Sequence, residues 1–452
     1  MRANRLGRAV LASVTVEAPP WLDPASCAFS SRTAAERYFA WEQPDRDRFA
    51  IGGIGSALTV GGDLGPERFE RAARRCSELL RDAVYEPGLD QPASGPIWVG
   101  GFAFADEPGT DPQWSSLPPT LLVLPAISIA RRGERTTVTA NQTCRPGDDP
   151  EALASACEGR LRVLRSDPIP LVDPDPLGGY ELSSTLPPEE YVRAVGRARE
   201  AIARGDLEKV VLAREVRVSA RTPFRSASIF DGLRTAYPSC FVYCVGTPDA
   251  AFVGASPELL VRREGAGASS VALAGSMRRS ADPAVDDHLG QRLLQSAKDR
   301  VEHQIVAERI ERALAPLSVW VAAAEEPSLV RVANIQHLAT PVRAQLAEPR
   351  SAVDLAGVLH PTPAVGGEPW ERAREAIRRL ERMDRGWYAG PVGWMDAAED
   401  GEFCVGLRCA LLEGRTAHCY AGVGVVADSD PEAELEETEV KLQAVLPALT
   451  GM

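Results

Sequence analysis

The chain has 452 residues, 44% hydrophobic and 25% charged, which is an ordinary composition for a globular protein and gives no case for disorder. Its formal net charge of −13 argues against nucleic-acid binding, because phosphate recognition wants clustered Lys and Arg. An anionic substrate stays open, since it needs only a local cationic pocket.

The N-terminal MRANRLGRAVLASVTVEAPP is basic with a short apolar patch, but Arg8 interrupts the patch and Glu17 and two prolines follow, so it does not read as a signal peptide. FAIGGIGSALTV and LPPTLLVLPAISIARR read as strands ended by Gly or Pro. PERFERAARRCSELLRDAV reads as an amphipathic helix, with Phe69, Ala72, Cys76, Leu79 and Leu80 on one face, and EALASACEGRLRVL as another. The proline-rich SDPIPLVDPDPLGG marks the best connection between two parts, 1–180 and 181–452.

A helix is expected after it, with Ser184 or Thr185 as cap, Pro187 and Pro188 in the first turn, and Gly205 as the stop. Its apolar stripe is Tyr191, Val195, Ala198 and Ile202. LEKVVLAREVRV, CFVYCVG, AFVGASPELLVRRE and SSVALAGS read as strands. One long helix is expected over about 285–315, with Leu289, Leu293, Val301, Ile305 and Leu314 near one face. AGPVGWM, GEFCVGLRCALLEG and TAHCYAGVGVV return to strands. A last helix starts at Asp430–Pro431. Strand hairpins between long helices indicate an α+β fold rather than an alternating parallel sheet. Nine scattered cysteines without a CxxC pair read as thiols of a reducing compartment. No apolar run approaches the roughly 20 residues that span a bilayer, so the expected location is the cytoplasm, with no membrane partner.

The last helix is the most informative element. Glu434, Glu437 and Lys441 are spaced by three and four and share one face. That face is either solvated or a source of oxygens for a hard cation such as magnesium, with Lys441 holding an anion beside it. Gly422 and Gly424 just upstream let backbone N–H groups approach a carboxylate. Glu302 lies at the edge of the long helix's apolar face and, if half-buried, wants a cation. Lys209 stands in an apolar strand pattern and is either a strand-end lysine in water or a desolvated amine of lowered pKa, fit for a general base. Glu258 is either an exposed hairpin residue or a proton donor. His337 and His360 are by default satisfied core or loop histidines, and no HxxxH or nearby Cys supports zinc. Arg408 is a lone charge in an apolar strand, so it faces a carboxylate of the protein or of a ligand. The glycine-rich GGIGSA and AVGGEP lack the lysine and spacing of a P-loop.

Together, EKVVLAR, GASPELL, LAGSMRRS, SAKDRVEHQIV, NIQHLATPV, LHPTPAVGG, ERMDRGWYAGPVGW, GEFCVGLRCALLEG and YAGVGVVADSDPEAELEETEVKL resemble the chorismate-utilising enzymes over about 185–447. The resemblance implies large antiparallel sheets packed together and flanked by helices, with 181–452 as the chorismate-binding catalytic region. It also implies magnesium on Glu302 and Glu437 with Glu434 close by. The ring carboxylate of chorismate would lie at the metal and the backbone of Gly275 and Ser276. Arg408, Lys441 and the backbone of Ala421 and Gly422 would hold the enolpyruvyl carboxylate, and His337 would lie near the leaving hydroxyl.

Within the family, Lys209 takes the place where amine-transferring relatives look to have glutamine, and water, unlike ammonia, needs a base. Ala274 stands where aminodeoxychorismate synthases resemble one another in carrying lysine. The resemblance therefore implies isomerisation of chorismate to isochorismate, with Lys209 as base and Glu258 as acid. The alternatives are a salicylate synthase that goes on to release pyruvate, an ammonia-using synthase subunit, and a non-catalytic chorismate-binding module. No glutaminase subunit is expected, and a monomer is. Ser280 departs from the glycine usual in relatives. The product would feed menaquinone or a siderophore, and WEQPD and WVGGFAF lean toward the former.

Overall fold

The structure, a computed structural model, describes residues 2–86, 91–107, 109–171 and 179–451. The proline-rich connection lies largely at 172–178, outside the described residues. Among those described, the strands form two sheets of thirteen and ten strands. All strand pairs are antiparallel except one, Val10–Ala18 with Val84–Tyr85. The largest buried apolar cluster draws on both sheets, with Phe39, Trp41, Ile51, Tyr243 and Phe252 from the larger and Trp98, Phe102, Val261 and Phe403 from the smaller. Burying an aromatic of this size contributes about 2–3 kcal/mol, so the sandwich between the sheets dominates the hydrophobic stabilisation. No helix among the described residues is long and apolar enough to cross a membrane. All nine cysteines are free, and seven are buried.

Four segments that read as single strands are each two strands, one in each sheet. They break at Ile54/Leu58, Leu124/Ile127, Ser256/Leu259 and Val405/Cys409. The reason is local. Pro125 and Pro257 remove a ladder donor, and Gly55 (φ 66°) and Arg408 (φ 48°) take left-handed backbone that turns the chain out of one ladder into the other. The last two breaks lie side by side: Ala255 N–H donates to Arg408 O (3.1 Å) and Val405 N–H to Glu258 O (3.1 Å). Glu258 and Arg408 are thus brought together at one seam between the sheets.

Helix Pro188–Ala203 buries Tyr191, Val195 and Ala198 and ends before Gly205 (φ 79°). Its expected cap does not form. Pro187 is the N-cap, Ser184 ends a strand, and the Ser184 hydroxyl donates to Leu186 O (2.6 Å). The expected long helix is two, Pro283–Gln295 and Ala297–Leu314, because Ser296 is extended (ψ 114°) and caps the second through Asp299 N–H. The break shifts the phase of the buried stripe. His303, Val306, Ile310 and Leu314 face inward, and Val301, expected inside, is 55% exposed. The helix expected last, Pro431–Leu442, starts on Asp430, which accepts from Ala433 N–H (2.9 Å), and a short helix, Leu446–Thr450, follows it.

Candidate active site

A cavity of about 60 Å³ opens beside the seam and is lined by ten of the twelve expected site residues: Glu258, Gly275, Ser276, Glu302, His337, Arg408, Ala421, Gly422, Glu437 and Lys441. They come from seven places in the chain. Strands Lys209–Ala220 and Thr416–Val425 run antiparallel along one wall, with Val211 opposite Gly424 and Ala213 opposite Gly422. Strands Gly267–Arg278 and Ile335–Leu346 form another, where a register shift at Gly275 (φ 74°) places Ser276 opposite His337. Helices Ala297–Leu314 and Pro431–Leu442 bring the carboxylates.

Lys209 is fully buried at the first residue of its strand, and its ammonium lies 3.0 Å from Glu302 Oε1. Among the described residues it makes no well-directed hydrogen bond, so its donors are not used up by the fold. A Cβ at Gly424 would overlap Glu302 Oε1 and lie 2.9 Å from Lys209 Cε. Gly424 therefore leaves the space in which this pair sits, a different task from the backbone approach read from the sequence.

Glu258 is buried at the seam, not exposed on a hairpin. Burial pushes its carboxyl up to about 8, against the pull of Lys209, Arg408 and Lys441, and the Thr362 hydroxyl faces it. Burial, reinforced by Arg408 and Lys441, pushes His337 down to about 3, so the ring is neutral. Its Nδ1 lies 3.1 Å from the Gly275 carbonyl and from Ser276 Oγ. A carbonyl only accepts, so Nδ1 carries the proton and Nε2 accepts from Arg408 Nη2 at 3.3 Å. Arg408 itself holds left-handed backbone, a conformation that costs a non-glycine residue about 1 kcal/mol or more. Lys441 donates to Gly422 O (2.9 Å) and pairs with Glu437 (2.8 Å). His360, by contrast, donates to Phe104 O (2.9 Å) against Phe69 and Phe104 and lies outside the cavity, a satisfied core histidine.

The acidic side of the cavity bears on a metal. Glu302 and Glu437 both line it. Burial alone would push Glu437 up, but Lys441 and then Lys298 hold it below the ordinary carboxylate range. Burial, with neighbouring carboxylates, pushes up Asp299 and Glu434. Glu434 does not line the cavity and pairs with Lys298 at 2.6 Å. Among the described residues no three His, Cys, Asp or Glu side chains converge as a metal cage. Two carboxylates on one cavity wall, each with a lysine beside it, are the kind of oxygen donors a hard cation such as magnesium takes, completing its shell with water and ligand oxygens.

Several contributors carried no sequence signal of their own. Tyr388 and Tyr420 line the cavity and stack at 5.3 Å, and a Cβ at Gly422 would lie 2.9 Å from Tyr388 Oη. Ala364 and Val365 of the LHPTPAVGG segment close another side. An apolar setting hides such residues, whereas Lys209 and Arg408 stand out as charges in apolar runs. Ser280, the departure from glycine, accepts from Asp282 N–H (3.2 Å) and donates its own N–H to Asp286 (3.0 Å), so the loop is braced.

The chain matches the model of a family described as chorismate binding enzyme over residues 1–450. It is 38% identical to the salicylate biosynthesis isochorismate synthase of Pseudomonas aeruginosa, over all of this chain and 92% of that one. It is 32% identical to the isochorismate synthase MenF of Bacillus subtilis, over all of this chain and 96% of that one. Among solved structures, the menaquinone-specific isochorismate synthase of Escherichia coli superposes with a TM-score of 0.80 at 25% identity, covering 98% of this chain and 96% of that one. An isochorismate synthase of Bacillus anthracis gives 0.71 at 31% identity, covering 92% and 96%. Matched by the family model over residues 1–450 and by relatives over its whole length, the chain belongs to the chorismate-binding enzyme family.

Proposed function

We propose that this enzyme is an isochorismate synthase, converting chorismate to isochorismate with magnesium bound. The observation that carries the reading is a fully buried lysine, Lys209, held behind the cavity wall 3.0 Å from Glu302, with a buried cavity carboxyl, Glu258, pushed up to about 8. A carboxyl raised that far is mainly protonated at neutral pH, the state a general acid needs.

In its neutral form, with one proton already given up to solvent, the Lys209 amine takes a proton from water as the water oxygen bonds to C2 of the ring. The double bonds shift, the C4–O bond breaks, and Glu258 gives its proton to the departing hydroxyl, which leaves as water. Water is consumed and released in equal amount, and the two groups exchange roles in reverse. Arg408 and Lys441 hold the enolpyruvyl carboxylate, and neutral His337 keeps the Arg408 guanidinium in place without adding charge. Gly275 and Ser276 present backbone to the ring carboxylate. A magnesium ion held by Glu302 and Glu437 would supply positive charge for that carboxylate.

The test is incubation of purified protein with chorismate and magnesium, with and without EDTA, and chromatography of the products. A chorismate–isochorismate mixture without pyruvate, and no turnover in EDTA, supports the reading. Salicylate with pyruvate would replace it by the salicylate synthase alternative, and an unchanged chorismate peak would refute it.

A further inference from the structure

Away from the cavity, Glu381 and Arg385 form an ion pair that is 3% exposed at both residues. Every part of it is engaged. Arg385 Nε donates to Glu381 Oε2 (2.9 Å), Nη1 to Val365 O (2.7 Å) and Nη2 to Val211 O (3.0 Å), while Glu381 Oε1 accepts from Ala213 N–H (2.8 Å). The guanidinium stacks over Phe104 at 4.2 Å. Val211 and Ala213 belong to the strand that Lys209 begins, and Val211 and Val365 are cavity walls. Val365 N–H in turn donates to Thr362 O (3.1 Å), and the Thr362 hydroxyl faces Glu258.

We propose that Glu381 and Arg385 are positioning residues, a clamp that fixes the Lys209 strand and the Thr362–Val365 loop at one separation and thereby governs turnover rather than substrate affinity. Its catalytic consequence rests on the reading of the reaction above. A buried ion pair is poor evidence of stabilisation, because apolar replacements of like volume are often as stable. What a planar five-donor guanidinium does supply is fixed geometry between backbone segments distant in sequence. A misplacement of about 1 Å between reacting groups can cost on the order of 100-fold in rate.

The test compares Glu381→Gln and Arg385→Lys with a control, Glu402→Gln, in the intact purified protein. Glu402 is a fully buried carboxylate paired with Arg46 (2.8 Å) and Arg262 that does not line the cavity. Measured for each are kcat and KM for chorismate, Tm, and amide hydrogen exchange over 209–213 and 360–367. Both clamp variants should lose on the order of tenfold or more in kcat, with KM within about threefold, and exchange faster in those two segments. The control should change Tm without either effect. Equal kcat loss in the control, or a loss matched by the unfolded fraction, overturns the proposal. Should Arg385→Lys fail to fold, the nearly isosteric Glu381→Gln decides alone. Were the wild type itself to form no isochorismate, the reaction reading would fall, and unchanged exchange in the two segments would separately overturn the clamp.

Discussion

Replacing Gly424 by alanine adds one methyl group where the cavity wall has no room for it. That carbon would overlap Glu302 Oε1 and lie 3.0 Å from Glu302 Cδ and 2.9 Å from Lys209 Cε. Carbon–oxygen and carbon–carbon contacts relax near 3.5–4.0 Å, so the carboxylate must move by roughly 1 Å or swing out, as a side chain on a partly exposed helix edge can. Lys209, fully buried, has no such exit. It then loses its near partner, and breaking a buried pair costs about 3–5 kcal/mol when one charge is left uncompensated. A 1 Å misplacement of the base adds on the order of a 100-fold loss in rate. Gly424→Ala should therefore lower kcat by about two orders of magnitude and lower Tm measurably, read by isochorismate formation and thermal unfolding. Activity within threefold of wild type at unchanged Tm would refute the account of how the Lys209–Glu302 pair is housed.

Lys209→Ala should reduce kcat by about 10²–10⁴-fold, the usual contribution of a general base, with KM changed little, as initial rates would show. Glu258→Gln should abolish turnover, and in the wild type kcat/KM should fall as pH rises through about 8, where the acid loses its proton. The same group couples folding to pH: its folded pKa lies above the ordinary 4.5, so its contribution to stability is full below that value and is lost progressively up to about 8. Glu258→Gln should flatten that part of a Tm–pH curve, and an unchanged slope would count against the buried carboxyl. On the proposed reading Lys441 holds the substrate's carboxylate before and during the reaction, so Lys441→Gln should raise KM for chorismate more than it lowers kcat; an unchanged KM in steady-state assays would remove it from the binding set.

The residues proposed to bear the chemistry are legible because of where they stand: Lys209 within EKVVLAR and Arg408 within VGLRCAL are charges in apolar runs, and Glu437 and Lys441 lie one turn apart. What they touch is not. AFVGASPELLVRRE is apolar and β-prone on both sides of its proline, so nothing local reveals that Glu258 stands between two sheets. The helix break at Ser296 hides within a continuing apolar periodicity and is visible only as a misplaced Val301. Glu434 shares a helical face with Glu437, yet Lys298, 136 residues away in sequence, decides its partner. Tertiary contact, not propensity, settles each of these.

The seam that holds Glu258 and Arg408 also bears on how such a scaffold diversifies. A residue inside a ladder is constrained by its neighbours on both strands, and changing it disturbs the sheet. Residues at a crossing belong to neither ladder, so their side chains can be exchanged while the surrounding strands keep their hydrogen bonds. Reactive groups carried there are the replaceable parts of the architecture, and a lineage can try a new acid or a new anion contact at that point without refounding its core.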